Sequence, residues 1–212
     1  MPGNEVGKVR QSNVVMNYGP GAIIDFRVPV TGAAVSVIAG GLEQWVKMAE
    51  AEGASPQNMK RLTEPRLADK LRVAHFRLPP VAPDNPQDDD VTVPLVGARF
   101  PGWLQCPSCH LIKEARKWGN EPGNPSRFCS PCSDRLRGDS KAYVVPVRFV
   151  AACRNGHLDD FPWSDWVHHD QACSKRNRKE FKLESEGPGL AGLVLSCPKC
   201  NQRRTMEHIF SK

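Results

Sequence analysis

A chain of 212 residues can form one or two domains, and its 17 glycines and 19 prolines indicate a loop-rich fold. No stretch approaches the roughly 20 apolar residues of a membrane helix, and the N-terminus lacks the apolar core of a signal peptide. We therefore expect a cytoplasmic protein, in a reducing compartment where cysteines bind metal more often than they form disulfides. The net charge of +6 lies wholly in residues 101–212, together with all eight cysteines. Zinc-bound thiolates would cancel most of this excess, so the global charge is weak evidence for nucleic-acid binding.

The first ninety residues predict a small α+β region that ends in a linker. Residues 17–26 predict a glycine-proline-glycine turn followed by a short strand, and residues 35–41 predict a second, buried strand that ends in glycines. The spacing of apolar residues predicts helices at 42–52 and 64–73, the second beginning at Pro65. The stretch 81–90 has the composition of an exposed linker. We therefore predict two regions, residues 1–90 and residues 91–212.

The second region predicts short elements that carry the cysteines. A strand leads into Cys106, and a hairpin around the glycine-proline-glycine turn at 187–189 leads into Cys197. The other predicted elements are a strand at 143–153, a short helix at 161–169 with Asp160 as its cap, and a terminal helix at 203–210. The predicted fold class is α+β: a small mixed domain plus a loop-rich region with two structural zinc sites, built from zinc-ribbon-like knuckles and short hairpins.

The clearest motif is a pair of Cys-x-x-Cys turns. Cys106 and Cys109 form the first turn, Cys129 and Cys132 the second, and nineteen residues separate them. Each turn directs two sulfurs to one point, and two turns complete the tetrahedral four-cysteine shell of a structural zinc site. The surroundings have no thioredoxin-like pattern, which argues against a redox role.

The four remaining cysteines predict a second zinc site. Cys197 and Cys200 form a third Cys-x-x-Cys turn, and Cys153 lies at the end of a predicted strand. The fourth position goes to Cys173 or to His157; we favour Cys173, because four cysteines complete a shell unaided. His110, His168 and His169 are interpreted as surface or packing residues. Two closed zinc shells leave no open metal position, so we expect a protein that is not an enzyme.

One alternative is a metal-dependent nuclease or hydrolase. His157, Asp159 and Asp160 lie close together in the sequence and could bind a metal or transfer protons. The same aspartates at the start of a helix would cap free N–H groups, and this structural interpretation is favoured.

A local basic cluster could contact nucleic acid. It comprises Lys175, Arg176, Arg178, Lys179 and Lys182, and Arg203 and Arg204 could extend the same surface. Such side chains neutralise phosphates without reading sequence. A solvated loop explains the cluster equally well.

The order of several motifs resembles the DrmB family, the helicase-associated zinc-binding subunit of the bacterial DISARM antiphage defence system. The motifs are RQSNVVMNYGPGAIIDF, GLEQW, FRLPP, RFPGWLQCPSC, VPVRFVAACRNGHLDDFPWSDWVHHDQAC and CPKCNQRRTMEHIF. The resemblance covers nearly the whole chain, and family members are longer, so it implies an N-terminal portion. It implies zinc ligation by all eight cysteines, partnership with a DrmA-type superfamily-two helicase, engagement of foreign DNA by the complex, and no catalytic activity in this subunit.

Overall fold

Strands outnumber helices in this chain, and the fold belongs to the predicted α+β class. We analysed a computed structural model, which describes residues 6–10, 13–14, 17–51, 61–77, 95–169, 173 and 180–210. The chain forms two compact units: one contains residues 26–35 and 100–212, and the other contains residues 7–25 and 36–99. The predicted linker at 81–90 lies outside the described residues. Within the described part of the chain, no helix is both long and apolar enough to cross a bilayer.

The N-terminal elements match most of the predicted ones. They are β1 (Ile23–Arg27), β2 (Ala34–Ala39), α1 (Leu42–Ala51), β3 (Arg61–Leu62), α2 (Pro65–Leu71), β4 (Phe76–Arg77) and β5 (Gly97–Arg99). Strands β1, β2 and β5 form one sheet in that order, and β3 pairs with β4. Helix α2 begins at Pro65, as predicted, because the fixed φ angle of proline suits the first helical position.

The C-terminal elements build a larger sheet. They are β6 (Trp103–Gln105), β7 (Leu111–Glu114), a 3₁₀ turn (Ala115–Lys117), α3 (Ser130–Ser133), β8 (Val145–Pro146), β9 (Val150–Ala152), β10 (Leu158–Asp160), α4 (Trp163–Val167), β11 (Glu180–Ser185), β12 (Leu193–Ser196) and β13 (Arg203–Thr205). Six strands form an antiparallel sheet in the order β13-β12-β11-β7-β6-β8, and β9 pairs with β10 in a separate ribbon.

The predicted hairpin around 187–189 is confirmed, and two other predictions are wrong. Strands β11 and β12 pair from Lys182↔Ser196 to Ser185↔Leu193. The predicted helix at 203–210 is instead strand β13 followed by turns. The strand forms because it can pair with the edge of β12, and Met206, directly after the strand, is buried. The predicted strand at 143–153 is divided into β8 and β9; Pro146 has no N–H for a sheet ladder, so pairing stops there.

Two hydrophobic clusters flank strand β6. Trp103 belongs to a large cluster with Trp163 and Phe181, whereas Leu104 belongs to a smaller cluster with Trp118 and cysteines. Successive side chains of a strand point to opposite faces of its sheet. The two clusters therefore lie on opposite faces at β6, and each contains cysteines of a different group.

Candidate metal centres

Two Cys-x-x-Cys turns share one backbone conformation. In the first, which joins β6 to β7, the Cys106 N–H donates to the Leu111 carbonyl and the His110 N–H donates to the Cys106 carbonyl, both at 2.9 Å. In the second, which joins β12 to β13, the Cys197 N–H donates to the Gln202 carbonyl and the Asn201 N–H donates to the Cys197 carbonyl, again both at 2.9 Å. We call these turns the first and second knuckles.

Both knuckles require one residue in the left-handed region. His110 has a φ of 60° and Asn201 has a φ of 58°. Asparagine and histidine adopt this conformation more readily than most residues other than glycine. The conformation reverses the chain after the second cysteine, so that the following strand pairs with the preceding one.

The first knuckle contributes to a four-cysteine group. Cys106, Cys109, Cys129 and Cys132 place their sulfurs within 4.8 Å of one another. The Sγ–Sγ distances Cys106–Cys132 and Cys109–Cys129 are both 3.8 Å. A tetrahedron of sulfurs about 2.3 Å from a central zinc ion has edges of about 3.8 Å. The group could therefore hold a metal ion, and its four members are those that the sequence predicted.

A buried serine holds the other half of this group. Cys129 precedes the one-turn helix α3, and the Ser133 hydroxyl donates to the Cys129 carbonyl at 2.8 Å. The same hydroxyl accepts from the Ala142 N–H at 3.0 Å, while the Cys129 N–H donates to the Ala142 carbonyl at 2.9 Å. Ser133 was not predicted from the sequence, because a single serine beside a cysteine pair has no distinctive pattern.

The second knuckle contributes to a group of three cysteines and one histidine. The ligand atoms of His168, Cys173, Cys197 and Cys200 lie within 4.8 Å of one another. His168 Nε2 lies 3.4 Å from Cys200 Sγ, and His168 Nδ1 lies 2.8 Å from the Ser164 carbonyl oxygen. When Nδ1–H donates to that carbonyl, Nε2 keeps a free lone pair directed at the cysteines, which is how metal-binding histidines are usually oriented. This group could also hold a metal ion.

The predicted ligands of the second site therefore need one correction. Cys173, Cys197 and Cys200 come together as predicted, but Cys153 lies outside the group, and so does His157, the predicted alternative to Cys173. Cys153 is at the exposed end of β9, whereas His168, interpreted from sequence as a packing residue, is buried at the end of α4. The sequence signal that could have identified His168 as a ligand is its spacing from Ser164, which lies one helical turn before it.

Hydrogen bonds favour the thiolate at the first cysteine of each knuckle. Burial raises the pKa of the Cys106 thiol, but hydrogen bonds from the backbone of Cys109 and Ser108 outweigh it and the pKa falls below the usual value. The pKa of Cys197 falls for the same reason, with backbone donors at Lys199 and Cys200.

The later cysteines have the opposite tendency. Burial, followed by neighbouring sulfurs, raises the pKa of Cys129 to about 12, and burial also raises the pKa of Cys109 and Cys200. The four thiols of the first group, and the three of the second, cannot all ionise at these distances unless a cation compensates their charge. The electrostatics of both groups thus fit a bound metal cation.

The proposed catalytic trio does not converge on one point. His157 Nδ1 lies 3.3 Å from Cys153 Sγ, and Asp159 Oδ1 accepts from the Asp160 N–H at 2.7 Å. Asp160 Oδ1 accepts from the Gly102 N–H at 2.8 Å. Among the described residues, these three side chains form no metal-ligating group.

The sequence predicted Asp160 as the cap of helix α4, and this prediction is wrong. Asp160 lies in β10, and Pro162 occupies the cap position without a side-chain hydrogen bond. A Cβ atom at Gly102 would lie 2.6 Å from Asp160 Oδ2, so any other residue there would displace the Asp160 carboxylate. Burial raises the pKa of the Asp160 carboxyl, although the hydrogen bond from Gly102 opposes this shift.

The described members of the basic cluster are already engaged with other groups. Lys182 Nζ lies 2.7 Å from Glu184 Oε1, and Arg203 pairs with Glu186. The Arg204 guanidinium lies 3.9 Å from the centre of the Trp166 ring and donates to the Trp166 carbonyl at 3.1 Å. Four members lie outside the described residues: Lys175, Arg176, Arg178 and Lys179.

Comparisons with known proteins place the chain in a family. The family model described as "Domain of unknown function (DUF8724)" matches residues 10–212. The chain belongs to this family. A relative from Bacillus paralicheniformis, described as "DISARM protein DrmB", is 30% identical over 79 residues. This match covers 35% of the chain and 14% of the relative, so the chain matches a small part of that protein's length.

Proposed function

We propose that the chain is a non-catalytic, zinc-stabilised subunit of a bacterial antiphage defence complex, which docks a superfamily-two helicase of the DrmA type and helps the complex to hold foreign DNA. The observation that carries this proposal is the pair of closed four-ligand groups. A catalytic zinc site keeps one position open for water, whereas four protein ligands fill the tetrahedral shell of a structural one. Both groups in this chain offer four ligands.

Zinc is the metal that the ligands favour. Thiolates and imidazole are the donors of structural zinc sites, and the Cys₄ and Cys₃His combinations are both common among them. The nitrogen–sulfur distance of 3.4 Å in the second group also approaches the edge of about 3.5 Å that a tetrahedral zinc site requires. The two ions would stabilise the knuckles, since a preformed cluster of thiols does not exist in the unfolded chain.

The defence role rests on the similarity to a DISARM protein. The shared segment of 79 residues is more than a third of this chain but a small part of the relative. The helicase partner and the DNA are therefore elements of the proposal. The two four-ligand groups keep no position open for water, which fits a role in docking and positioning rather than in bond cleavage.

The proposed DNA contact is electrostatic. The basic residues between Cys173 and β11 carry four positive charges at Lys175, Arg176, Arg178 and Lys179. Each phosphate contact contributes a slope of about −0.9 in log K against log salt for duplex DNA and about −0.7 for a single strand. Lys182 and Arg203 contribute less, because each is paired with a glutamate.

The proposal can be tested with the purified chain, a DrmA-type helicase and labelled DNA. Size-exclusion chromatography should show the chain eluting with the helicase, and fluorescence anisotropy should show DNA binding that weakens as salt increases. Changing Lys175, Arg176, Arg178 and Lys179 to glutamine should flatten the salt slope by up to about 3.6 units on duplex DNA and about 2.8 units on a single strand.

A charge-matched variant provides the control. This control changes four exposed basic residues in a distant part of the sequence to glutamine: Arg66, Lys70, Arg72 and Arg77. It removes the same charge and should leave the salt slope unchanged. Failure to co-elute with the helicase would contradict the docking role. Equal slopes for both variants, with zinc retained, would place the DNA contacts elsewhere.

A further inference from the structure

Cys153 differs from the other seven cysteines. All eight lie within the described residues, and Cys153 is the exposed one, while the others are buried or half-buried within the two metal groups. Its sulfur faces His157 Nδ1 at 3.3 Å, and His157 is exposed as well. The two side chains occupy the tip of the β9–β10 ribbon, where solvent reaches both.

The backbone of this tip is a shortened knuckle. The Cys153 N–H donates to the His157 carbonyl at 3.1 Å, and the Gly156 N–H donates to the Cys153 carbonyl at 3.0 Å. The two knuckles have the same pair of bonds with one more residue in the turn. Gly156 adopts the left-handed conformation, with a φ of 83°, that His110 and Asn201 adopt in the knuckles. The turn thus fixes the relative position of two ligand-type side chains before any ion binds.

The separation of the two ligand atoms matches that of a metal-binding pair. The Sγ–Nδ1 distance of 3.3 Å is close to the 3.4 Å between Cys200 and His168 in the second group. A tetrahedral zinc ion bound by one thiolate and one imidazole separates these atoms by about 3.5 Å. A thiol hydrogen-bonded to the imidazole has a similar separation.

The charge of the surrounding ribbon favours a cation. In the register of the ribbon, Ala151 pairs with Asp159, two residues from Cys153 and His157 respectively. Alternate residues of a strand share a face, so the exposed Asp159 lies on the same face as the pair. Asp159 therefore places negative charge on this face, although its Oδ1 also accepts from the Asp160 N–H.

We propose that Cys153 and His157 form a third, open metal site for a thiophilic divalent cation, with Zn²⁺ as the first candidate. Two protein ligands leave the remaining coordination positions to water or to a donor from another molecule. Binding replaces the thiol proton, which is released to solvent, by the metal–sulfur bond. The ion in this site exchanges readily, unlike ions held by four ligands, and the site lies outside both groups that stabilise the fold.

The experiment uses the reactivity of Cys153 in the whole purified chain. After a wash with a weak chelator, which leaves ions held by four ligands in place, the protein is treated briefly with iodoacetamide, with and without added Zn²⁺. Mass spectrometry then measures alkylation at each cysteine. Because the free thiolate is the reacting species, bound zinc should slow alkylation of Cys153 by about ten-fold or more.

Matched histidine variants identify the second ligand. His157→Ala should abolish the protection by zinc, and His208→Ala, at another exposed histidine, should retain it. The proposal is overturned by unchanged alkylation of Cys153 in the presence of zinc, or by equal protection in His157→Ala. It is also overturned if Cys153 fails to react in zinc-free buffer. Zinc content measured in parallel shows that the two closed groups remain intact in each variant.

Discussion

Asp160 joins two segments that lie far apart in the sequence. Its carboxylate accepts the Gly102 N–H from 58 residues away, directly before β6 and the first knuckle. The absence of a side chain at Gly102 makes room for that carboxylate. The motifs FPGW and LDDFPW are therefore joined directly, because Asp160 of the second motif accepts a backbone hydrogen bond from Gly102 of the first.

The raised pKa of Asp160 gives a prediction about stability and pH. A carboxyl whose pKa is higher in the folded state stabilises the fold below its unfolded pKa of about 3.9 and loses that contribution as pH rises through the folded pKa. Asp160→Asn keeps an acceptor oxygen without the buried charge. At pH 7 it should be at least as stable as the wild type in urea unfolding, and the difference should narrow as the pH falls.

Alanine at the same position separates the acceptor from the charge. Asp160→Ala leaves the Gly102 N–H without its acceptor and should cost about 1–3 kcal/mol. Zinc must be in excess down to about pH 5, because metal binding itself weakens on acidification. An asparagine variant as unstable as the alanine variant would show that the charge, not the acceptor oxygen, supports the fold.

Individual ligands were predictable from sequence only where spacing fixes them. Cys-x-x-Cys turns place two sulfurs together by local geometry alone, so Cys106, Cys109, Cys129 and Cys132 could be assigned to one group. The fourth ligand of the second group depends on where helix α4 ends relative to β12. That placement is tertiary, and it brings His168 rather than Cys153 to Cys200.

At the scale of elements, the hairpins were predictable and the terminal segment was not. The glycines between β11 and β12 and the alternating apolar residues of these strands are local signals. Residues 203–210 have a helix-like composition, but β12 presents an unpaired edge that only the folded sheet creates. Pairing with β12, from Val194↔Thr205 to Ser196↔Arg203, therefore outweighs the local preference of this segment for a helix.

The left-handed residue of the second knuckle gives a prediction at this scale. Asn201→Gly should change the free energy of unfolding little, because glycine adopts this conformation freely. Asn201→Val should destabilise the zinc-loaded protein by about 1–2 kcal/mol, because a β-branched side chain clashes in that conformation. Chemical unfolding of both variants is the measurement, and equal stability of the glycine and valine variants would contradict the importance of the turn.

At the scale of the molecule, we expect two tightly bound zinc ions that the larger unit needs in order to fold. Four of the five tryptophans lie in residues 100–212. Of these, Trp103, Trp118 and Trp163 are buried in the two clusters. A strong chelator should therefore remove two ions per chain, shift tryptophan fluorescence to the red and reduce the far-ultraviolet circular dichroism signal, as in small domains whose folding is coupled to zinc.

Two substitutions assign the ligands of the second ion. After a wash with a weak chelator, His168→Ala should retain one zinc ion per chain, whereas Cys153→Ser should retain two. The reverse result would restore Cys153 to the ligand set that the sequence predicted. A content of two in both variants would mean that the three cysteines hold the ion without either residue.

The ligands of the two groups do not interleave along the chain. The first group is complete between Cys106 and Cys132, and the second between His168 and Cys200. Among the described strands, β7 and β11 make the one strand pairing between these segments, from Lys113↔Glu180 to Leu111↔Lys182. During synthesis from the N-terminus, the first four ligands leave the ribosome before the second set has been made. The first segment can thus bind its ion and offer β7 as an edge, on which the later segment completes the sheet.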